Sequence, residues 1–168
     1  MATKKTTQKT VKKKPARVQI LLGSESDLPV IDKMKPLLDR FHLPYRIDVA
    51  SAHRMPAKLH RVVKAAEKEG VEVFIAGAGM AAHLPGVVAS LTGKPVIGIP
   101  IASGPMAGVD ALLSIVQMPP GVPVATVAIG SAGARNAACL AARMIALKDA
   151  KVAAAVEEYR KELARGGR

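Results

Sequence analysis

A chain of 168 residues that is 49% apolar can close one domain around a core of its own. No apolar run reaches the roughly 20 residues of a membrane-spanning helix, and the N-terminus lacks the apolar block of a secretory signal, so a cytoplasmic protein is expected. The net charge of +12 suggests nucleic acid until it is placed: residues 1–17 hold seven Lys/Arg and no acid, residues 151–168 hold five against three, and the stretch between carries only +3. With 2% aromatic residues and no Trp there is little to stack on bases, so neither a specific nucleic-acid partner nor a membrane is expected.

Residues 1–16, lysine-rich and without an apolar face, read as a disordered basic tail; weak contact with polyanions is the competing reading. Residues 17–150 read as the α/β domain that carries the chemistry. The run Arg17–Leu22, closed by Gly23, has the form of a buried parallel strand. Asp27 is placed to cap a helix that runs to about Phe41, with Val30, Ile31, Met34, Leu37, Leu38 and Phe41 on one face; Pro36 should bend or restart it. Residues 45–49 alternate as a strand, and Pro56 opens a helix that Gly70 ends.

Residues 71–76 make a third strand, followed by the most glycine-rich turn of the chain, 77–86, and a short helix over 87–92. Strands over 95–100 and 124–129 flank a helix from about Val109 to Met118, and residues 132–148 form an alanine-rich helix. Residues 151–168 hold one more helix, whose Val152, Val156, Tyr159 and Leu163 can pack on the domain or on a neighbouring subunit. The lone Cys139 excludes an internal disulfide and reads as a small buried helix residue. Five apolar strands alternating with helices predict an α/β fold: a three-layer α/β/α sandwich on a parallel five-stranded sheet.

The chemistry gathers where strands hand over to helices, because ligands of open α/β sheets bind beyond the carboxyl ends of the strands. Ser24 and Asp27 offer amides, a hydroxyl and a carboxylate for a phosphate and a sugar hydroxyl. Ser51, His53 and Arg54 combine an anion clamp with a group that titrates near neutrality. Gly79, His83 and Leu84 add close-approach backbone and a second imidazole. Each has a plainer reading: Asp27 as a cap, Ser24 as a turn residue, Arg54 as a surface charge, His83 as a packed core histidine. His42 and His60 read as helix-end and helix-surface residues. No third ligand stands at useful spacing from His53 and His83, so no metal is expected. The segment Gly77–Ala82 only loosely matches a dinucleotide fingerprint, without the acidic residue that should follow, and no Gly-Lys-Ser/Thr phosphate loop is found.

Four stretches carry a resemblance: Gly-Ser-Glu-Ser-Asp at 23–27, Ser-Ala-His-Arg-Met-Pro at 51–56, Ala-Gly-Ala-Gly-Met-Ala-Ala-His-Leu-Pro-Gly at 76–86, and the segment from Leu112 to Gly130. In order and spacing they resemble the N5-carboxyaminoimidazole ribonucleotide mutases, the PurE family of de novo purine synthesis, from about Arg17 to Asp149. The resemblance implies a flavodoxin-like sandwich, a homo-octamer with sites where subunits meet, and no cofactor. It implies that His53 is the catalytic proton carrier, that Ser24, Asp27 and Arg54 hold phosphate and ribose with Ser51 beside them, and that Gly79, His83 and Leu84 line the pocket for base and carboxylate. Two departures stand out: Met80 where the family usually carries glycine, and the loop 103–108. Rival readings are a carboxylase that puts CO2 directly on aminoimidazole ribonucleotide, a PurE-like enzyme for another nucleotide, and a nucleotide- or polyanion-binding protein without catalysis.

Overall fold

The structure, a computed structural model, describes residues 15–167; the basic-tail reading of residues 1–16 falls almost wholly outside them. Five parallel strands, β1 (Val18–Leu22), β2 (Tyr45–Val49), β3 (Val73–Gly79), β4 (Val96–Ile101) and β5 (Ala125–Thr126), lie in the order β2-β1-β3-β4-β5. That order is the flavodoxin-like one, and it reverses direction between β1 and β3. The helices are α1 (Leu28–Ile31), α2 (Lys35–Arg40), α3 (Pro56–Lys68), α4 (Leu84–Leu91), α5 (Val109–Val116), α6 (Gly130–Ala146) and α7 (Ala150–Ala164).

Alternation along buried strands sorts the core into two layers. Val18, Ile20 and Leu22 face Ile31, Met34, Leu38 and the alanine stripe of α6, while Leu21, Phe74 and Ala76 face Leu59, Val63, Val88 and Ile115. Each fully buried aliphatic or Phe side chain contributes about 1.5–3 kcal/mol, so both faces must be covered for the strands to persist. Within the strands Gln19 is the buried polar residue, and its amide is satisfied: Nε2 donates to Ile20 O and Asp48 Oδ2, and Oε1 accepts from Arg46 Nε.

Several boundaries differ from the sequence reading. The stretch to Phe41 is broken by 3₁₀ turns at Glu25–Asp27 and Asp32–Met34, and Pro36 sits in the first turn of the restarted α2. The segment 77–79 is strand rather than turn, paired with Ile99–Ile101. A Cβ on Gly77 would lie 3.1–3.3 Å from the methyl ends of Ile101, Ile31 and Leu22, so glycine there admits neighbouring side chains instead of bending the chain. Helix α4 starts at Leu84, three residues earlier than the spacing suggests, because Pro85 needs no N–H donor in a first turn. Strand β5 keeps only two residues: it pairs on one side with β4, and Gly130 (φ 71) turns the chain into α6 soon after. Cys139, expected buried, is half-buried on α6, and burial pushes its thiol pKa up.

Helix α7 packs on its own domain. Val152 is buried, the Tyr159 ring meets Phe41 edge-on at 5.6 Å between centroids, and the Arg40 guanidinium lies 4.8 Å over Tyr159 while it pairs with Glu162. At the amino edge of the sheet, Arg17 joins Glu72 (Nε to Oε1, 2.6 Å) and Asp149 (2.5 Å), and Lys148 lies 2.9 Å from the second Glu72 oxygen. Asp149 also caps α7 by accepting from the Lys151 and Val152 amides.

Candidate active site

The loops that leave β1, β2, β3 and β4 meet at the carboxyl edge of the sheet, where the strand order reverses, and enclose a cavity of about 470 Å³. All eight residues singled out from sequence line it: Ser24, Asp27, Ser51, His53, Arg54, Gly79, His83 and Leu84.

The first loop is built as a capping box. The Ser24 hydroxyl accepts from the Ser26 amide, and Asp27 Oδ2 accepts from the Ser24 N–H at 3.1 Å. Asp27 therefore does not cap the helix that follows it, as the sequence suggested; it reaches back to the start of its own turn, and its side chain makes no cap bond to α1. It is 4% exposed, and burial pushes its carboxyl above the usual range against the opposing bond from Ser24. A buried carboxyl with one oxygen engaged has acceptor capacity left for a hydroxyl.

The second loop is held by Ser51, buried at the end of β2, whose Oγ accepts from the Arg54 backbone N–H at 3.3 Å and stands 3.5 Å from Nε. The Arg54 guanidinium also reaches the Gly23 carbonyl at 3.4 Å, across to the end of β1. Long bonds to two neighbours orient this exposed cation without neutralising it, which leaves the planar fork for an anion.

The third loop brings the second imidazole to the first. His53 Nε2 and His83 Nδ1 are 2.8 Å apart, with the rings edge-on at 4.9 Å between centroids. One ring must donate and the other accept, so each fixes the other's tautomer and leaves one nitrogen of each ring for other partners. His83, which could have been a packed core histidine, is exposed at the cavity, as is His53. Thirty residues separate the two, so sequence spacing gave no hint of the pair. The sequence reading also missed Ser103, which lines the cavity from beyond β4. It arrives there because β4 lies beside β3, which puts the first polar residue past its carboxyl end at the same place, a placement that depends on strand order. His42 and His60 are exposed and do not line the cavity.

Fold and site together define a flavodoxin-like α/β protein whose strand-end cavity joins an anion clamp, a buried carboxyl and two coupled imidazoles. The family described as AIR carboxylase matches residues 17–166, and the chain belongs to it. It is similar to the N5-carboxyaminoimidazole ribonucleotide mutase of Pyrococcus abyssi, 51% identical over 149 residues that cover 89% of this chain and 84% of the relative. The Escherichia coli K12 protein of the same name is 48% identical over 147 residues, covering 88% and 87%. Among solved structures, Treponema denticola PurE superposes with a TM-score of 0.81 at 32% identity, covering 89% of this chain and 92% of that one.

Proposed function

We propose that this chain is an isomerase that moves the carboxyl group of N5-carboxyaminoimidazole ribonucleotide from the exocyclic nitrogen to ring carbon C4, giving 4-carboxy-5-aminoimidazole ribonucleotide in de novo purine synthesis. The observation that carries the reading is the pairing of His53 and His83 at 2.8 Å inside a cavity that also holds Arg54 and Asp27, in a chain about half identical to named mutases. The named mutases at about half identity favour this reading over direct carboxylation, and the imidazole pair favours it over a binding protein without catalysis, which has no use for a proton carrier.

In this reading Arg54 and the Ser24 hydroxyl hold the phosphate, Asp27 accepts from a ribose hydroxyl, and Ser51 fixes Arg54. Gly79, His83 and Leu84 line the pocket for the heterocycle and its carboxylate. The N–C bond of the carbamate breaks and releases CO2, the nitrogen keeping the electron pair and taking a proton from His53, which the last step returns. C4 then attacks the trapped CO2, and His53 removes the C4 proton while the C–H electron pair returns to the ring. A positioned imidazole suits that last step, and exclusion of water suits the trapped gas. The nucleotide is the partner, and the enzyme works in the cytoplasm. The chain assembles as a homo-octamer, with the apolar face of α5 (Val109, Leu113 and Val116, each 46–52% exposed) beside Met106 as surface available for subunit contact. Among the described residues no helix is long and apolar enough to cross a membrane.

The deciding assay supplies either the carbamate ribonucleotide or aminoimidazole ribonucleotide with bicarbonate. Formation of the C4 carboxylate from the carbamate is expected; turnover with bicarbonate alone would reassign the chain as a carboxylase.

A further inference from the structure

The strand order divides the cavity into two halves. The loops after β1 and β2 supply Ser24, Asp27, Ser51 and Arg54, and the loops after β3 and β4 supply the facing wall. Among the described residues that wall has no cation, and its polar side chains are His83, engaged with His53, and Ser103.

Packing within the chain decides where Ser103 stands. A Cβ on Gly79 would collide with Ser103 Oγ, fall 2.6 Å from Ser103 Cβ and lie 2.9 Å from the Ile101 carbonyl. The hydroxymethyl group of Ser103 therefore occupies the side-chain place that Gly79 leaves empty. Gly79 and Ile101 are register partners, so the sheet itself fixes this approach. In effect β4 lends β3 a hydroxyl at the point where its last residue meets the cavity.

The other hydroxyls on the lining shape their own loops. Ser24 Oγ accepts from the Ser26 amide and the Ser26 hydroxyl, and Ser51 Oγ accepts from the Arg54 backbone N–H. Among the described residues Ser103 Oγ makes no hydrogen bond, and it is not sealed inside the packing. Its one donor and both acceptor positions are free for a ligand. With the phosphate held at the β1–β2 half, the heterocycle and its carboxyl reach the β3–β4 half. A carboxylate offers acceptors only, so the hydroxyl must donate to it. A neutral donor also suits a group that has to leave and return: the paired fork of an arginine would grip the carbamate and oppose its release.

We infer that Ser103 is a substrate-contacting residue, whose hydroxyl donates to the migrating carboxyl group and so favours carboxylated ribonucleotides over the uncarboxylated one. The inference rests on the proposed mutase reaction and names a donor which that reading leaves unassigned. Ser103→Ala removes one oxygen and leaves the fit against Gly79 intact. It is expected to weaken binding of 4-carboxy-5-aminoimidazole ribonucleotide about tenfold and to lower kcat/KM for the carbamate by a similar factor. Binding of aminoimidazole ribonucleotide and of ribose 5-phosphate stays at wild type.

The measurement is calorimetric titration of wild type and Ser103→Ala with those three ligands, with thermal midpoint and light scattering on the same samples. Unchanged affinity for the carboxylated ribonucleotide overturns the inference. Equal weakening of all three ligands overturns it as well, since the hydroxyl would then hold the wall and not the carboxyl. A fall in assembly mass also overturns it, by making Ser103 a subunit contact. If wild type forms no C4 carboxylate from the carbamate, the mutase reading fails by itself. The assignment of Ser103 then stands if the variant loses affinity for the carboxylated ribonucleotide alone, and falls if the two proteins bind it alike.

Discussion

The two edges of the sheet handle charge in opposite ways. At the amino edge, Arg17, Glu72, Asp149 and Lys148 consume one another: every charge has an opposite charge within 3 Å, and burial of Glu72, which alone would raise its pKa, is outweighed by Arg17 and Lys148 so that the carboxyl titrates below its usual range. At the carboxyl edge the polar groups are positioned but not neutralised. Arg54 has only long bonds to a hydroxyl and a carbonyl, Asp27 is buried with its pKa raised, and the two histidines face each other at the cavity. The first arrangement stabilises the fold, and the second keeps stabilisation in reserve for a ligand.

That contrast is tested most severely at His53. His53→Asn is expected to lower kcat by about 10²–10⁴-fold while light scattering and thermal midpoint stay at wild-type values; a loss of stability of the kind expected at the amino edge would erase the distinction. Next, Arg54→Ala should raise KM by about 10–100-fold, as expected for loss of charged hydrogen bonds to phosphate, with little change in midpoint, read by steady-state kinetics and calorimetry.

The reverse pattern belongs to Glu72→Gln. Denaturant unfolding should show a loss of about 1–3 kcal/mol, because Lys148 is left without a carboxylate and Arg17 with Asp149 alone, while kcat and KM remain at wild type. The pH dependence sharpens the same point. Glu72 and Asp149 are held below their usual range in the fold, Asp149 first by its bond from Arg17. Their contribution is therefore complete above the ordinary carboxylate range near 4.3 and drains away as pH falls through the lowered values. Glu72→Gln should flatten that acid limb.

Asp27 carries the opposite sign and the smallest effect. Its carboxyl is raised by burial, so the fold loses some stability as pH climbs through the carboxylate range, and Asp27→Asn should remove that slope. The expected result is a slightly higher midpoint at neutral pH with weaker nucleotide binding; a lower midpoint would place Asp27 with the stabilising groups of the amino edge.

Most of the frame was legible because a buried parallel strand writes itself as an apolar run, as Val18–Leu22 and Val96–Ile101 do. Two of the errors lie where glycine or proline served packing or a helix start instead of a turn. Gly77 and Gly79 are strand residues emptied of side chain for their neighbours, and Pro85 begins a helix rather than closing a loop. In the cavity, the residue types could be named from the loop motifs, but their mutual geometry could not. The His53–His83 contact and the arrival of Ser103 depend on strand order, which puts β4 next to β3. The Arg17 network was hidden for the same reason: its members stand 55 and 132 residues apart.

Because β1 to β4 are parallel neighbours, the cavity wall is contributed piecemeal by segments spread from Ser24 to Ser103. On the ribosome, then, a nascent chain has only part of this cavity until Ser103 has emerged. Capture of ligand must wait until the fourth strand has emerged and docked, which makes ligand protection a natural clock for the completion of this sheet during synthesis.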